Sequence, residues 1–458
     1  MGPMPITDAI FLMGEVREKP LHVGGLQLFE PAERAGPDVV RESFRKAIEH
    51  GEVASLFRRY PRRTMAGLGP WGWAEDTELD LEYHVRHSAL PQPGRIRELL
   101  ALVSRLHGTL LDRNRPLWEM HVIEGLADGR VAVYSKVHHA LLDGVSAIRW
   151  MNRGLSEDAD ERGMPPPWAP AERPRPSVPS GGAGDAVVGL ARSAFEGGKA
   201  VGEASLAAVR TVARAVEDRA ASLPYQAPRS MLNVPITGAR RFAAQSWGLE
   251  RIREVGSALG GSLNDVVLAM SSGALRRYLI DHDALPEQPL VSAVPVSLRD
   301  RDDDDPGDGN AVGVVLCNLG TDLEDPLARF DLIHRSMRDS KARLEGLGPL
   351  AVILLSALNF GPVALGPLYR YEVLRKPAFN VIISNVPGPQ QPLYWNGSRM
   401  DAIYPVSIPY DGQALNMTVT SYDGSLEFGL IGCRRRVPSL QRLLDYLEDS
   451  LTELEAAV

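Results

Sequence analysis

Apolar positions recur along this chain in two periods, every second residue in short stretches and every third or fourth in longer ones, so strands and helices alternate throughout. In the first third, residues 7–16 read as a helix with Thr7 or Asp8 as N-cap, 21–29 as a strand ended by Pro31, and 37–50 as a helix. Residues 79–85 read as a strand, 94–111 as an amphipathic helix, and 118–124 as a strand beside 131–138, which runs into a turn. A helix resumes over 144–155. The pattern then breaks. Residues 156–185 are rich in Pro, Gly and charge, as in Met164-Pro165-Pro166-Pro167-Trp168-Ala169-Pro170, which is the chemistry of a stiff, extended linker. Helical spacing returns over 187–216, a long amphipathic crossover helix whose apolar face packs on the domains or lies on a membrane surface.

The second half begins near Arg240 with a helix over 249–259. Ser262-Leu263-Asn264-Asp265 then caps a helix over 266–279. Strands at 291–299 and 311–319 flank the acidic run 302–305, a solvated loop, and a helix follows over 326–345. From Pro349 to Tyr369 no residue is charged, but Gly361, Pro362, Gly366 and Pro367 interrupt the stretch, so it reads as a broken hydrophobic helix and not a membrane span. It reads equally as a buried core helix or as a candidate for contact with a membrane. Strands at 378–384, 400–407, 415–422 and 425–432 follow, the last two joined by the hairpin signal Asp423-Gly424, and a helix over 438–456 closes the chain. The fold class is α/β, with helices against mixed sheets. The domain division is an N-terminal lobe at 1–160, linker and crossover at 161–240, and a C-terminal lobe at 241–458.

Composition adds bounds. A length of 458 residues suggests about two or three domains. A hydrophobic fraction of 44% and a charged fraction of 24% are those of a soluble globular protein, and a net charge of -8 argues against nucleic acid as a partner. Cys317 and Cys433 are the only cysteines, too few for a disulfide framework or a cysteine-rich metal site. Met1-Gly2-Pro3-Met4-Pro5 lacks a charged segment leading into an apolar core, and Ile6 stands where myristoylation wants Ser or Thr. The expected location is cytoplasmic.

The candidate chemistry sits at the end of the 131–138 strand, in His138-His139-Ala140-Leu141-Leu142-Asp143-Gly144. Histidine titrates near neutrality without special tuning, which suits a general base. Successive strand residues face opposite ways, so one histidine is expected to react and the other to pack. Asp143 is placed to hold the turn, to pair with Arg or Lys, or to orient an imidazole. A metal-dependent hydrolase using His138, His139 and Asp143 as ligands would need adjacent histidines to converge, which a strand opposes. Two other stretches have simpler readings than their patterns suggest. Gly67-Leu68-Gly69-Pro70-Trp71-Gly72 matches a dinucleotide-binding spacing without the strand, helix and acidic residue that would support it, so it reads as a loop. Arg58, Arg59, Arg62 and Arg63 form the densest basic cluster, able to meet phosphates or anionic lipid but read first as a solvated helix end.

The histidine motif resembles the signature of the CoA-dependent acyltransferase superfamily. Arg115-Pro116-Leu117-Trp118-Glu119, Leu263-Asn264-Asp265-Val266-Val267, Pro295-Val296-Ser297-Leu298-Arg299, Gly309-Asn310 and Asn385-Val386-Pro387-Gly388-Pro389 are similar, in order and spacing, to the bacterial wax ester synthase/acyl-CoA:diacylglycerol acyltransferase family. So is the opening Ile6-Thr7-Asp8-Ala9-Ile10-Phe11-Leu12 with His22-Val23-Gly24-Gly25. The resemblance covers nearly the whole chain and fails in the middle linker. It implies a two-lobed chloramphenicol-acetyltransferase-like fold, each lobe a mixed sheet with flanking helices, and a tunnel between the lobes. The implied reaction moves a long-chain acyl group from acyl-CoA, a substrate, to the hydroxyl of diacylglycerol or a long-chain alcohol, with no cofactor and no metal.

By that resemblance His139 is the general base, His138 supports it and Asp143 shapes the turn. Asn264 and Asp265 lie by the tunnel, Asn264 and Asn385 are candidate oxyanion donors, and Pro116, Leu117 and Trp118 are packing that positions the substrate-binding site. The implied partner surface is peripheral, the inner membrane face or a lipid inclusion. Two rivals stay in view: a condensation-type acyltransferase using carrier-protein substrates, although no carrier domain is apparent, and a catalytically silent lipid-binding protein of storage inclusions.

Overall fold

The computed structural model describes residues 2–30, 39–64, 69–170, 227–297, 312–345 and 376–458. The expected crossover helix at 187–216 and the uncharged stretch at 349–369 lie outside the described residues. In chain order the strands are β1 (Gly2–Pro3), β2 (His22–Phe29), β3 (Arg59–Arg63), β4 (Trp71–Glu75), β5 (Val85–Ala89), β6 (Trp118–Glu124), β7 (Val131–His138) and β8 (Arg240–Gly248). They continue with β9 (Val291–Ser297), β10 (Val312–Asn318), β11 (Val381–Val386), β12 (Tyr394–Trp395), β13 (Ser398–Val406), β14 (Leu415–Tyr422) and β15 (Ser425–Cys433). The helices are α1 (Ile6–Gly14), α2 (Val39–His50), α3 (Leu81–His84), α4 (Ile96–His107), α5 (Gly144–Asn152), α6 (Leu249–Ala258), α7 (Leu263–Ile280), α8 (Pro326–Glu345) and α9 (Arg442–Ala456).

Two six-stranded sheets carry the architecture, in the orders β12-β13-β2-β7-β6-β5 and β10-β9-β11-β14-β15-β8. Both are mixed: β5 runs parallel to β6 in the first, and β11 runs parallel to β9 and β14 in the second, while the other pairs are antiparallel. This is the two-lobed α/β arrangement expected from the sequence. The second lobe buries its apolar face against α6, α7, α8 and α9, with Ile252, Val266, Leu275, Ile333, Leu447 and Leu451 in its core. In the first lobe, the faces of β7 divide as strand alternation requires. Val131, Val133 and Val137 join an aromatic core with Trp118, Trp150 and Trp168, whereas Ala132 and Tyr134 meet Leu99 and Val103 of α4.

The sheets meet at β13. This strand belongs by sequence to 241–458, yet it pairs with β2 across the first sheet and lies over β14, β15 and β8 of the second. The approach is so close that a Cβ on Gly429 of β15 would stand 1.8 Å from the Pro405 carbonyl oxygen. Beside this contact, Glu427 is buried, its carboxylate accepting from the Ser246 hydroxyl, which also meets the Tyr404 hydroxyl of β13 at 2.9 Å. Burial pushes the Glu427 carboxyl from 4.5 up to about 7. The folded chain therefore holds this proton more tightly than the unfolded chain. The resulting stability is full below pH 4.5 and is lost as pH rises to about 7. Glu427→Gln is expected to flatten that window and to exceed wild type at pH 8, by on the order of 3 kcal/mol. Urea unfolding of both proteins at pH 5 and pH 8 checks this.

Several local expectations change. The residue before α1 is Pro5, with no side-chain cap, so neither Thr7 nor Asp8 caps it. The strand expected at 79–85 is displaced: Asp80 accepts from the Tyr83 N–H and starts the one-turn α3, and pairing with β6 begins only at Val85. Arg59, Arg62 and Arg63 lie on β3, paired with β4, instead of ending a helix; Trp71 and Gly72 likewise belong to β4 and not to a loop. The proline-rich stretch is anchored at Trp168, which is fully buried against Phe44 and Trp118.

Candidate active site

The β7 strand ends on His138. The His138 N–H donates to the Leu117 carbonyl and the His139 N–H to the Leu21 carbonyl, each at 2.9 Å, before the chain turns with the Leu141 N–H donating to the His138 carbonyl at 2.8 Å. The backbone break separates the two imidazoles. His138 is fully buried, and its Nδ1 accepts the Ala140 N–H at 3.0 Å, which leaves Nε2 as the protonated nitrogen of the neutral ring. That Nε2 lies 3.4 Å from Glu15 Oε1, an ion-pair distance without hydrogen-bond geometry, and has no hydrogen-bond partner among the described residues.

His139 is partly exposed, its ring stacked on Phe11 with centroids 4.3 Å apart and planes 16° apart. Burial pushes its pKa below the ordinary 6.5; the Asp143 carboxylate pulls it back in part, and His138 adds to the depression. Such a ring is neutral at physiological pH and ready to accept a proton. Asp143 is the N-cap of α5, its Oδ1 accepting the Ser146 N–H at 2.7 Å. One carboxylate thus starts the helix after the turn and lends its field to His139.

Glu15 is absent from the sequence expectations. Its carboxylate is buried and accepts from the Leu21 N–H at 2.9 Å through Oε1 and from Arg113 Nη2 at 3.2 Å through Oε2. Burial pushes this carboxyl up, but His138, the Leu21 amide and Arg113 together hold it below 4.5, so it is ionised. The only sequence signal was an acidic residue directly after an apolar helix. Behind it, on the same face of β7, Lys136 is buried and donates to the carbonyls of Leu106 at 3.1 Å and Thr109 at 2.9 Å, with Glu119 Oε2 at 3.3 Å.

Pro116, Leu117 and Trp118 are all buried. Leu117 touches the site through its backbone carbonyl on His138, while its side chain packs with Leu12, Leu111 and Ala140. Trp118 donates its Nε1–H to the Phe57 carbonyl at 2.8 Å inside the aromatic core. Among the described residues, the second-lobe candidates make no hydrogen bond to the turn. Asn264 is partly exposed in the first turn of α7; Asp265 closes a capping box with Ser262, and its Oδ2 lies 3.0 Å from His334 Nδ1. Asn385, on β11 opposite Val419, is partly exposed, and the next residue, Val386, packs into the first-lobe core. Among the described residues, no three His, Cys, Asp or Glu side chains converge as metal ligands, and no helix is long and apolar enough to cross a membrane.

Comparison with known proteins places this geometry. Residues 4–267 match the model of the wax ester synthase/diacylglycerol acyltransferase catalytic domain, and residues 308–455 match the corresponding C-terminal domain. A probable diacylglycerol O-acyltransferase of Mycobacterium tuberculosis is 50% identical, with all of both chains covered. The solved wax ester synthase/diacylglycerol acyltransferase of Marinobacter aquaeolei superposes with a TM-score of 0.78 at 44% identity, covering 99% of each chain. The first condensation domain of a calcium-dependent antibiotic synthetase shares the fold, with a TM-score of 0.53 at 14% identity over 99% of this chain and 95% of that one. The chain belongs to the wax ester synthase/diacylglycerol acyltransferase family.

Proposed function

We propose that the protein transfers a long-chain acyl group from acyl-CoA to the hydroxyl of diacylglycerol, with long-chain alcohols as secondary acceptors, and that His139 is the general base. The observation that carries this reading is the His139 ring: partly exposed, held flat on Phe11, depressed in pKa and hydrogen-bonded to no other described residue. A ring that bonds only its own backbone among the described residues keeps one nitrogen free to take a proton from an incoming hydroxyl. The alkoxide then attacks the thioester carbonyl, the carbonyl π electrons move onto oxygen, and collapse of the tetrahedral intermediate breaks the C–S bond. The imidazolium returns its proton to the departing CoA thiolate. Asp143 favours the transient imidazolium, and Asn264 or Asn385 supplies a donor to the oxyanion.

In this reading acyl-CoA and the acceptor approach His139 from opposite mouths of a passage between the lobes, with the acceptor drawn from a membrane or inclusion surface on the cytoplasmic side. The mycobacterial relatives are named for diacylglycerol alone and the Marinobacter protein for both acceptors, which supports diacylglycerol as the first choice. Release of free thiol from palmitoyl-CoA, followed with diacylglycerol, hexadecanol or no acceptor, tests this. Diacylglycerol is expected to give the fastest release. Release at one rate in all three tubes would contradict transfer, and release only with a carrier-protein thiol or amine would favour the condensation-type alternative.

A further inference from the structure

Both amides that flank the His139 side chain lead back to one carboxylate. The His139 N–H is held by the Leu21 carbonyl at 2.9 Å, and the Leu21 N–H is held by Glu15 Oε1 at 2.9 Å. The following amide, Ala140, is held by His138 Nδ1 at 3.0 Å, and the far nitrogen of that ring faces the same Oε1 at 3.4 Å. The third grip is on the ring. Phe11 stacks on His139, and the Phe11 carbonyl accepts the Glu15 N–H at 3.1 Å, so the stacking residue and the carboxylate sit on one short piece of backbone. Arg113 fixes that piece from outside, donating to the Glu15 carbonyl at 3.0 Å and to Oε2 at 3.2 Å.

We infer that Glu15 is a positioning residue for acyl transfer: its carboxylate, beside the buried His138 Nε2 edge, favours the Nε2–H tautomer that the Ala140 amide sets and, through the Ala140 and Leu21 amides, fixes where the His139 ring stands. The inference rests on His139 being the base. A buried carboxylate needs a partner, and Arg113 alone supplies one on Oε2. The second oxygen is given to the turn. That division makes glutamine a poor substitute. A carboxylate accepts on both sides, whereas an amide accepts on one and presents N–H groups on the other, toward either Arg113 or the Leu21 N–H. Whichever way it turns, Glu15→Gln leaves two donors facing each other.

The test is steady-state kinetics of Glu15→Gln beside wild type and His139→Ala, with ¹⁵N spectra of histidine-labelled wild type and Glu15→Gln. The His138 signals are assigned by their loss in His138→Gln. Glu15→Gln is expected to lower kcat by about tenfold to a hundredfold, by analogy with partners that orient metal-bound imidazoles, with both KM values within about threefold of wild type. Wild type should show a bare His138 Nδ1 and a protonated Nε2, and Glu15→Gln should lose that single tautomer. A wild-type His138 protonated on Nδ1 overturns the inference without any variant. So does a fall in kcat with the tautomer unchanged, which would mark a merely structural role. An inactive His139→Ala beside a fully active Glu15→Gln overturns the positioning role alone; a fully active His139→Ala removes the base assignment first.

Discussion

Trp118→Ala is expected to lower the unfolding free energy by about 3–5 kcal/mol, a large part of the stability of a domain this size. The indole is fully buried. It stacks on His84 with centroids 4.6 Å apart and on Trp168 at 5.9 Å, and it meets the edges of Phe57 at 5.8 Å and Trp150 at 6.2 Å. Its Nε1–H satisfies the Phe57 carbonyl. Truncation opens a cavity walled by rings that cannot collapse into it and leaves that carbonyl without its donor. Trp118→Phe keeps most of the apolar contact and loses the hydrogen bond, so it should cost less, about 1–3 kcal/mol. Urea unfolding of the three proteins measures both steps. A Trp118→Ala midpoint matching wild type would mean that the aromatic cluster is not the brace that the strand beside the histidines leans on.

That brace also marks how far the sequence could be read. The strands at 118–124 and 131–138 were visible because β-branched and aromatic residues run up to turn signals, and the structure ends them at Glu124 and His138. Ser262 and Asp265 announced their capping box, and Asp423-Gly424 its hairpin, because each signal is contained in a few neighbouring residues. What stayed hidden depends on partners far along the chain. Nothing local in 398–406 says that it leaves its own lobe to pair with β2, and nothing around Glu15 says that Leu21, Arg113 and His138 converge on it. The error at 79–85 was of another kind. Its residues suit a strand, but Asp80 can cap a turn of helix, and the capped turn delayed the pairing until Val85.

His139→Ala is expected to cost about 10²–10⁴-fold in kcat, the contribution of a positioned general base. Folding should be little changed, since the ring is partly exposed and hydrogen-bonds no other described residue; the loss is chiefly the stack on Phe11. The pH dependence gives the sign of the electrostatics. Only the neutral imidazole accepts a proton, and burial depresses its pKa below 6.5, so the acid limb of the wild-type kcat/KM profile should be centred below pH 6.5. An acid limb centred above 6.5 would mean that the ring is stabilised as imidazolium and that another group takes the proton.

The most direct measurement follows acyl label from long-chain acyl-CoA into lipid ester, with diacylglycerol present, for wild type and His139→Ala side by side. Wild type should build labelled ester in step with thiol release, and the variant should stay near background while remaining folded. Labelled ester formed by the variant at the wild-type rate would contradict His139 as the base.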